Sequence, residues 1–305
     1  MDADPQLLNE AHAIPGHISF HAGPNNLITA SIHNAHAQAA VTLHGAHVMS
    51  YQPNGDAEVL WESPYAAHRI SAAMRGGIPI CWPWFAGHPS DPSKKPHHGF
   101  VRNMLWRVTG CAACPDGSTE LRMAVHDTPE TREIWPHAFE LETIITVGKK
   151  LRIEWIARSF DGDGYSYTGA LHPYFYVSDI RAITIRGLEQ SDYLDKNDQY
   201  RRKTQGEPFK ITKEFDGIFL DTTAEIAIQD PGFGRTIHCD KEGSHTTVVW
   251  NPDQKDRLMP DVGEGEHQRF VCVESANAAE DIIAVKPGAE GRLAMIIWTE
   301  RGGIS

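Results

Sequence analysis

Apolar and polar residues alternate with a period of two along most of this chain. "FELETIITV" (139–147) and "LRIEWIARSF" (151–160) lie on either side of Gly148-Lys149-Lys150, which reads as a β-hairpin. The same pattern over 105–111 and 119–126 flanks Pro115-Asp116-Gly117-Ser118 and predicts a second hairpin. Segments 27–33 and 39–43 pair around "HNAHAQ", and 46–51 continues the pattern. Shorter alternating runs at 165–176, 182–185, 225–229, 235–238, 246–250, 270–274, 282–285 and 291–300 predict further strands. No long stretch keeps a helical period. The expected fold is therefore all-β, a large antiparallel β-sandwich. Neither a repeat nor a composition break divides the chain, so one domain is expected over 1–305. Residues 1–16 read as a loose N-terminal arm and residues 86–97 as an exposed loop.

Charge narrows the function. Forty acids against 28 bases give a formal net charge of −12, which excludes a general nucleic-acid binder with its broad cationic face. No run of eighteen apolar residues predicts a membrane span, and no charged-then-apolar leader opens the sequence. Cys111 and Cys114 have CxxC spacing, but no second pair completes a zinc site, and the turn that follows them fits a hairpin. The expectation is a reduced, cytoplasmic protein that needs no metal or other cofactor.

One segment departs from the acidic background. "RGGIPICWPWFAGHPSDPSKKPHHGFVRN" (75–103) sets Arg75, Lys94, Lys95 and Arg102 against a single acid, Asp91, around Trp82, Trp84 and Phe85. Arginine forks match phosphate or carboxylate oxygens, and aromatic faces can stack on the C–H bonds of a sugar. Gly76 and Gly77 would permit close backbone approach beside Arg75. Most of the seventeen histidines carry no special context. His97 and His98 do, between the loop and Gly99-Phe100. So does His172 in "GALHPYFYV", an apolar run where a titratable ring is costly unless paired. Glu274 ends the apolar run of "RFVCVESAN" and needs a partner or a ligand for the same reason. A buried Glu and a buried His would make an acid/base pair.

In these motifs the chain resembles the hexose-6-phosphate mutarotases, the glucose-6-phosphate 1-epimerase branch of the aldose 1-epimerase superfamily. "RGGIPICWPWF", "HHGFVRN", "ALHPYFYV", "VVWNP" and "FVCVESA" follow one another in that family's order, from about Asn26 to about Arg292. The resemblance implies a galactose-mutarotase-like β-supersandwich with an open, carbohydrate-sized cleft. It implies His172 as the acid and Glu274 as the base, with Arg75, His97, His98, Arg102 and Asp216 binding the substrate. The implied partner is a small phosphorylated hexose, handled by a monomer, and His172 is expected to stay protonated under the influence of a nearby carboxylate. Gly217 stands where the family usually has a basic residue after the aspartate. "HPYF" is nearer the form of galactose mutarotases, whose substrates lack phosphate. An epimerase of free hexoses and a non-catalytic carbohydrate-binding sandwich therefore stay open as alternatives. A glycoside hydrolase would want two carboxylates across the scissile bond.

Overall fold

The alternation does produce strands. A computed structural model describes residues 4–69, 73–91, 93 and 96–302; Lys94 and Lys95 of the cationic segment lie outside the described residues. The strands gather mainly into two eight-stranded antiparallel sheets. The first, the site sheet, runs in the order Arg201–Thr204, Asp192–Asp195, Phe215–Phe219, Thr246–Asn251, Phe270–Asn277, Gly169–Leu171 and Ile80–Cys81. Tyr174–Tyr176 also pairs with Phe270–Asn277. The second, the back sheet, runs Thr184–Arg186, Ile226–Asp230, Arg235–Glu242, Glu290–Arg301, Leu151–Ser159, Phe139–Val147, Thr119–His126 and Arg107–Ala113. A four-stranded meander covers Ile18–Ala22 to His47–Pro53.

Alternate residues of the two sheets meet in one core. Phe215, Phe219, Val249, Val271 and Val273 of the site sheet share a buried cluster with Ile145, Ile153, Trp155, Leu293 and Met295 of the back sheet. Burying each such side chain fully contributes about 1.5–3 kcal/mol. On the outer face of the back sheet, Arg158 bonds Glu140 and Glu142 at 2.7 and 2.9 Å, so the polar half of each alternating run is paired across strands rather than left to collect other apolar surface.

The N-terminal arm differs from expectation. Pro5–His12 forms a helix, with the Asp4 side chain accepting from Gln6 N. Asn9 fastens it to the meander by accepting from Phe20 N at 2.8 Å and donating to Phe20 O at 2.6 Å. The helix buries no residue, so it left no apolar stripe to read. Arg201–Thr204 lies at the edge of the site sheet, where no second strand demands an apolar face, and it too escaped the pattern. Among the described residues no helix is long and apolar enough to cross a membrane.

Candidate active site

Strand register builds the centre of the site. In Phe270–Asn277, Val271 and Val273 enter the core, so Phe270, Cys272, Glu274 and Ala276 point out of the opposite face. Glu274 lies opposite Val248, and Cys272 opposite both Trp250 and Tyr174. Asp216 lies opposite Trp250 one strand further on. Leu171 pairs with Ser275 and Tyr174 with Cys272, so the register carried in from either end puts His172 opposite Glu274. Their side chains meet, with His172 Nε2 3.2 Å from Glu274 Oε1.

Both groups are buried, His172 to 8% exposure and Glu274 to 2%. Burial is the dominant influence on each, pushing the imidazole down to about 3 and the carboxyl well above its usual range. Arg102, Arg75 and Lys196 press His172 in the same direction. The expected protonated His172 is thus not what burial favours. An imidazolium–carboxylate pair and an imidazole–carboxylic acid pair hold the same single proton, and with both groups out of water the neutral form prevails. His172 stacks on Tyr174, with centroids 5.1 Å apart and planes 21° from parallel.

Two cavities share Arg75, His98 and His172 in their walls, so they form one cleft with two lobes. The first lobe, of about 230 Å³, holds Glu274, Asp216, Lys196, Phe85 and Trp250. Asp216 Oδ2 lies 2.6 Å from Lys196 Nζ, while Asp216 Oδ1 and Glu274 Oε2 are buried without hydrogen-bond partners. The second lobe, of about 210 Å³, holds His97, Arg102, Tyr174 and Asp261. There Arg75 sets Nη2 and Nε on Asp261 Oδ2 at 2.8 and 3.0 Å and donates through Nη1 to the Tyr174 hydroxyl at 3.0 Å. Arg102 donates through Nη2 to the His97 carbonyl at 2.7 Å, and its buried Nε has no partner. His98 accepts from Ala86 N at its Nδ1 at 3.3 Å, which leaves the proton on Nε2 as a donor. Burial keeps that ring neutral, well below its ordinary value.

All seven residues picked from the sequence therefore line this cleft: His172, Glu274, Arg75, His97, His98, Arg102 and Asp216. Three accompanying ideas change. Trp82 and Trp84 are core residues, 0% and 1% exposed, with Trp82 packed on Trp135 and Phe139. The aromatic surface of the cleft is Phe85, Trp250 and Tyr174 instead. Gly76 and Gly77 make room for protein rather than ligand. A Cβ on Gly77 would stand 2.4 Å from Val48 O, and one on Gly76 2.5 Å from Glu62 Cα, both at positive φ. This tight crossing, with His47 Nε2 donating to Gly76 O at 2.8 Å, aims Arg75 into the cleft. The glycine after Asp216 takes nothing from the site, because position 217 alternates to the core side and a Cβ there would strike the Phe215 ring at 2.7 Å. Sequence reasoning missed Lys196, Tyr174, Trp250 and Asp261. Tyr174 and Trp250 lie inside quoted motifs, but Lys196 and Asp261 sit in polar stretches that carry no periodic signal.

The family model for aldose 1-epimerase matches residues 29–298. A Cenchrus ciliaris protein provisionally named glucose-6-phosphate 1-epimerase is 36% identical over 269 residues, covering 84% of this chain and 80% of its own. The crystal structure of YeaD from Salmonella typhimurium, provisionally a mutarotase, superposes with a TM-score of 0.88 at 29% identity, covering 95% of this chain and 96% of that one. Galactose 1-epimerase from Lactobacillus acidophilus shares the fold at a TM-score of 0.70 and 12% identity, covering 95% of this chain and 100% of that one. With a family model spanning residues 29–298 and a relative 36% identical that is matched over 80% of its own length, the chain belongs to the aldose 1-epimerase family.

Proposed function

We propose that this protein interconverts the α and β anomers of a hexose 6-phosphate, glucose 6-phosphate before others. The observation that carries the proposal is the contact between His172 and Glu274 beside a lobe containing Arg75 and Arg102. The two oxygens of a hemiacetal sit on one carbon, so the groups that serve them must converge on one small site, and adjacent His172 and Glu274 in the wall of one lobe satisfy that. The names of the Cenchrus and Salmonella proteins support the same reading.

Glu274 takes the proton of the C1 hydroxyl while His172 delivers one to the ring oxygen. The C1–O5 bond breaks, and its electron pair goes to O5 as the C1 aldehyde forms. Rotation about C1–C2 presents the other carbonyl face, and the two groups act in reverse to close the ring. Each direction takes one proton from the substrate and returns one, so the pair ends with the single proton it began with. A phosphate anion in the adjoining lobe favours that proton on His172, which turns the resting neutral pair into the working acid and base. Positioned proton transfer of this kind typically contributes ~10²–10⁴ in rate. Arg75 and Arg102 hold the phosphate, and His97, His98 and Asp216 meet the ring hydroxyls. The enzyme acts as a monomeric single domain in the cytoplasm, where its five free cysteines stay reduced.

Polarimetry of freshly dissolved α-glucose 6-phosphate tests this. Catalytic amounts of enzyme should bring the rotation to equilibrium far faster than the spontaneous rate, and faster than for free glucose. Equilibration at the spontaneous rate would leave only a sugar-binding protein; a preference for the free sugar would remove the phosphate from the proposal.

A further inference from the structure

We infer that Lys196 is a positioning residue for the acid/base pair, fixed on Asp216 in the wall of the lobe that holds Glu274 and lowering the cost of ionising Glu274 when the working pair forms. The inference rests on the proposed role of Glu274 as the base. Its ground is placement. Asp195 pairs with Gly217 at the end of the Asp192–Asp195 strand, so the next residue leaves the sheet beside Asp216. The turn that follows is anchored, with the Asp195 side chain accepting from Asn197 N at 2.9 Å and lying 2.7 Å from Lys203 Nζ. Lys196 Nζ then reaches Asp216 Oδ2 at 2.6 Å, with the two side chains only 22% and 19% exposed.

An ammonium group has three N–H donors, and this ion pair uses one of them. The remaining charge faces a lobe in which Asp216 Oδ1 and Glu274 Oε2 are both buried and unpartnered. Two carboxylates so placed would disfavour each other's ionised form, and a fixed cation offsets that. The groups acting on or touching Glu274 from the surrounding strands are His172, Tyr174, Cys81, Cys272, Asp216 and Lys196. Burial holds the His172 ring neutral and raises the thiols and the phenol, which leaves Lys196 as the cation of this set. Its pull on Glu274 opposes burial and exceeds the contrary push of Asp216. Arg102 faces the other lobe and Arg75 stands in the wall shared by both; a phosphate bound there would neutralise these two, so Lys196 is the positive charge that substrate binding leaves in place.

The test is the pH profile of kcat/KM for α-glucose 6-phosphate with Lys196→Met, Lys196→Gln and Lys196→Arg. Taking away a cation makes every proton on the pair harder to lose, so both limbs of the bell should move to higher pH in the Met and Gln variants. Activity at about pH 6 should fall by roughly tenfold, with the loss shrinking towards about pH 8. Lys196→Arg should restore the wild-type limbs. A residue serving only to brace the turn would lower activity by one factor at all pH values and leave the limbs unmoved, and that outcome overturns the inference. If Lys196→Met fails to fold, Gln against Arg still contrasts charge lost with charge kept. Wild-type enzyme that leaves anomer exchange at its spontaneous rate would instead sink the proposed function, so the two failures are distinct.

Discussion

Arg75→Ala should separate phosphate recognition from chemistry. The guanidinium makes three hydrogen bonds, two to Asp261 and one to Tyr174, and its side chain is three-quarters buried at 25% exposure. Under the proposed function, Asp261 occupies the fork that a substrate phosphate would take, and binding would exchange one anion for another. Each charge-assisted hydrogen bond lost is worth about 1.5–3 kcal/mol. At ~1.4 kcal/mol per factor of ten, KM for glucose 6-phosphate should rise roughly 10- to 150-fold. The alanine variant also leaves the Asp261 carboxylate facing the incoming phosphate, which adds repulsion to the missing grip. Arg75→Ala/Asp261→Asn removes that second effect and should recover part of the loss, while Asp261→Asn alone should lower KM below the wild-type value. Because Glu274 and His172 are held by the site sheet and not by Arg75, kcat should change little. Initial-rate polarimetry on glucose 6-phosphate and on glucose, side by side, reads all of these. A KM rise of equal size on both sugars, or a fall in kcat with KM unchanged, would refute the assignment of Arg75 to the phosphate.

Other outcomes follow from the same geometry. Glu274→Gln and His172→Asn should each lower kcat by ~10²–10⁴, and the double variant should be little worse than either, because the two act as one unit; polarimetry at saturating substrate checks it. Gly77→Ala must place a Cβ 2.4 Å from Val48 O at φ +60°, so urea titration should show a loss of ~1–3 kcal/mol together with a raised KM as Arg75 is displaced. His47 is buried neutral, its pKa lowered from 6.5 to about 4 by desolvation. The unfolded chain takes up that proton before the native one does, so this contribution to stability is whole above about pH 6.5 and lost as pH falls to about 4. The loss is about 3 kcal/mol, and His47→Gln, which can still donate to Gly76 O, should flatten that part of the stability curve in urea titrations across the range.

The sequence was most informative where one side chain in two had to be buried. The hairpin at 139–159 is legible because burial alternates along its strands, whereas the central strands 246–251 and 270–277 are buried almost throughout and show as short apolar runs. Ile80–Cys81 is too short to alternate, and Asp192–Asp195 is half-buried throughout, so both stayed invisible. The site residues were legible for a different reason. Glu274 and His172 are polar interruptions of apolar runs, a conflict that a bland strand has no cause to contain. Lys196 and Asp261 interrupt nothing, because their neighbours are polar as well, and only the folded chain shows that they meet Asp216 and Arg75. The tryptophans misled because indole size suits a sugar platform and a core equally, and Trp82 and Trp84 are core.

The division between strands and loops explains how the cleft can be both fixed and selective. Glu274 and Asp216 are strand residues whose direction is set by a ladder of hydrogen bonds, and His172 is pinned between two short strands paired to the same neighbour. Rotating any of them away would cost the register of a sheet packed on the core. Arg75, His97, His98, Arg102 and Asp261 instead sit outside the named strands, where positive φ at Gly76, Gly77, His98 and Gly99 shapes the path of the backbone. Under the proposed function, a change there would alter which group of the sugar is gripped without moving the strands that set the 3.2 Å contact between His172 and Glu274. By the same reading, the Asp261–Arg75 contact is where selectivity for a phosphate would be adjusted, because the Asp261 carboxylate occupies the fork that the phosphate would take.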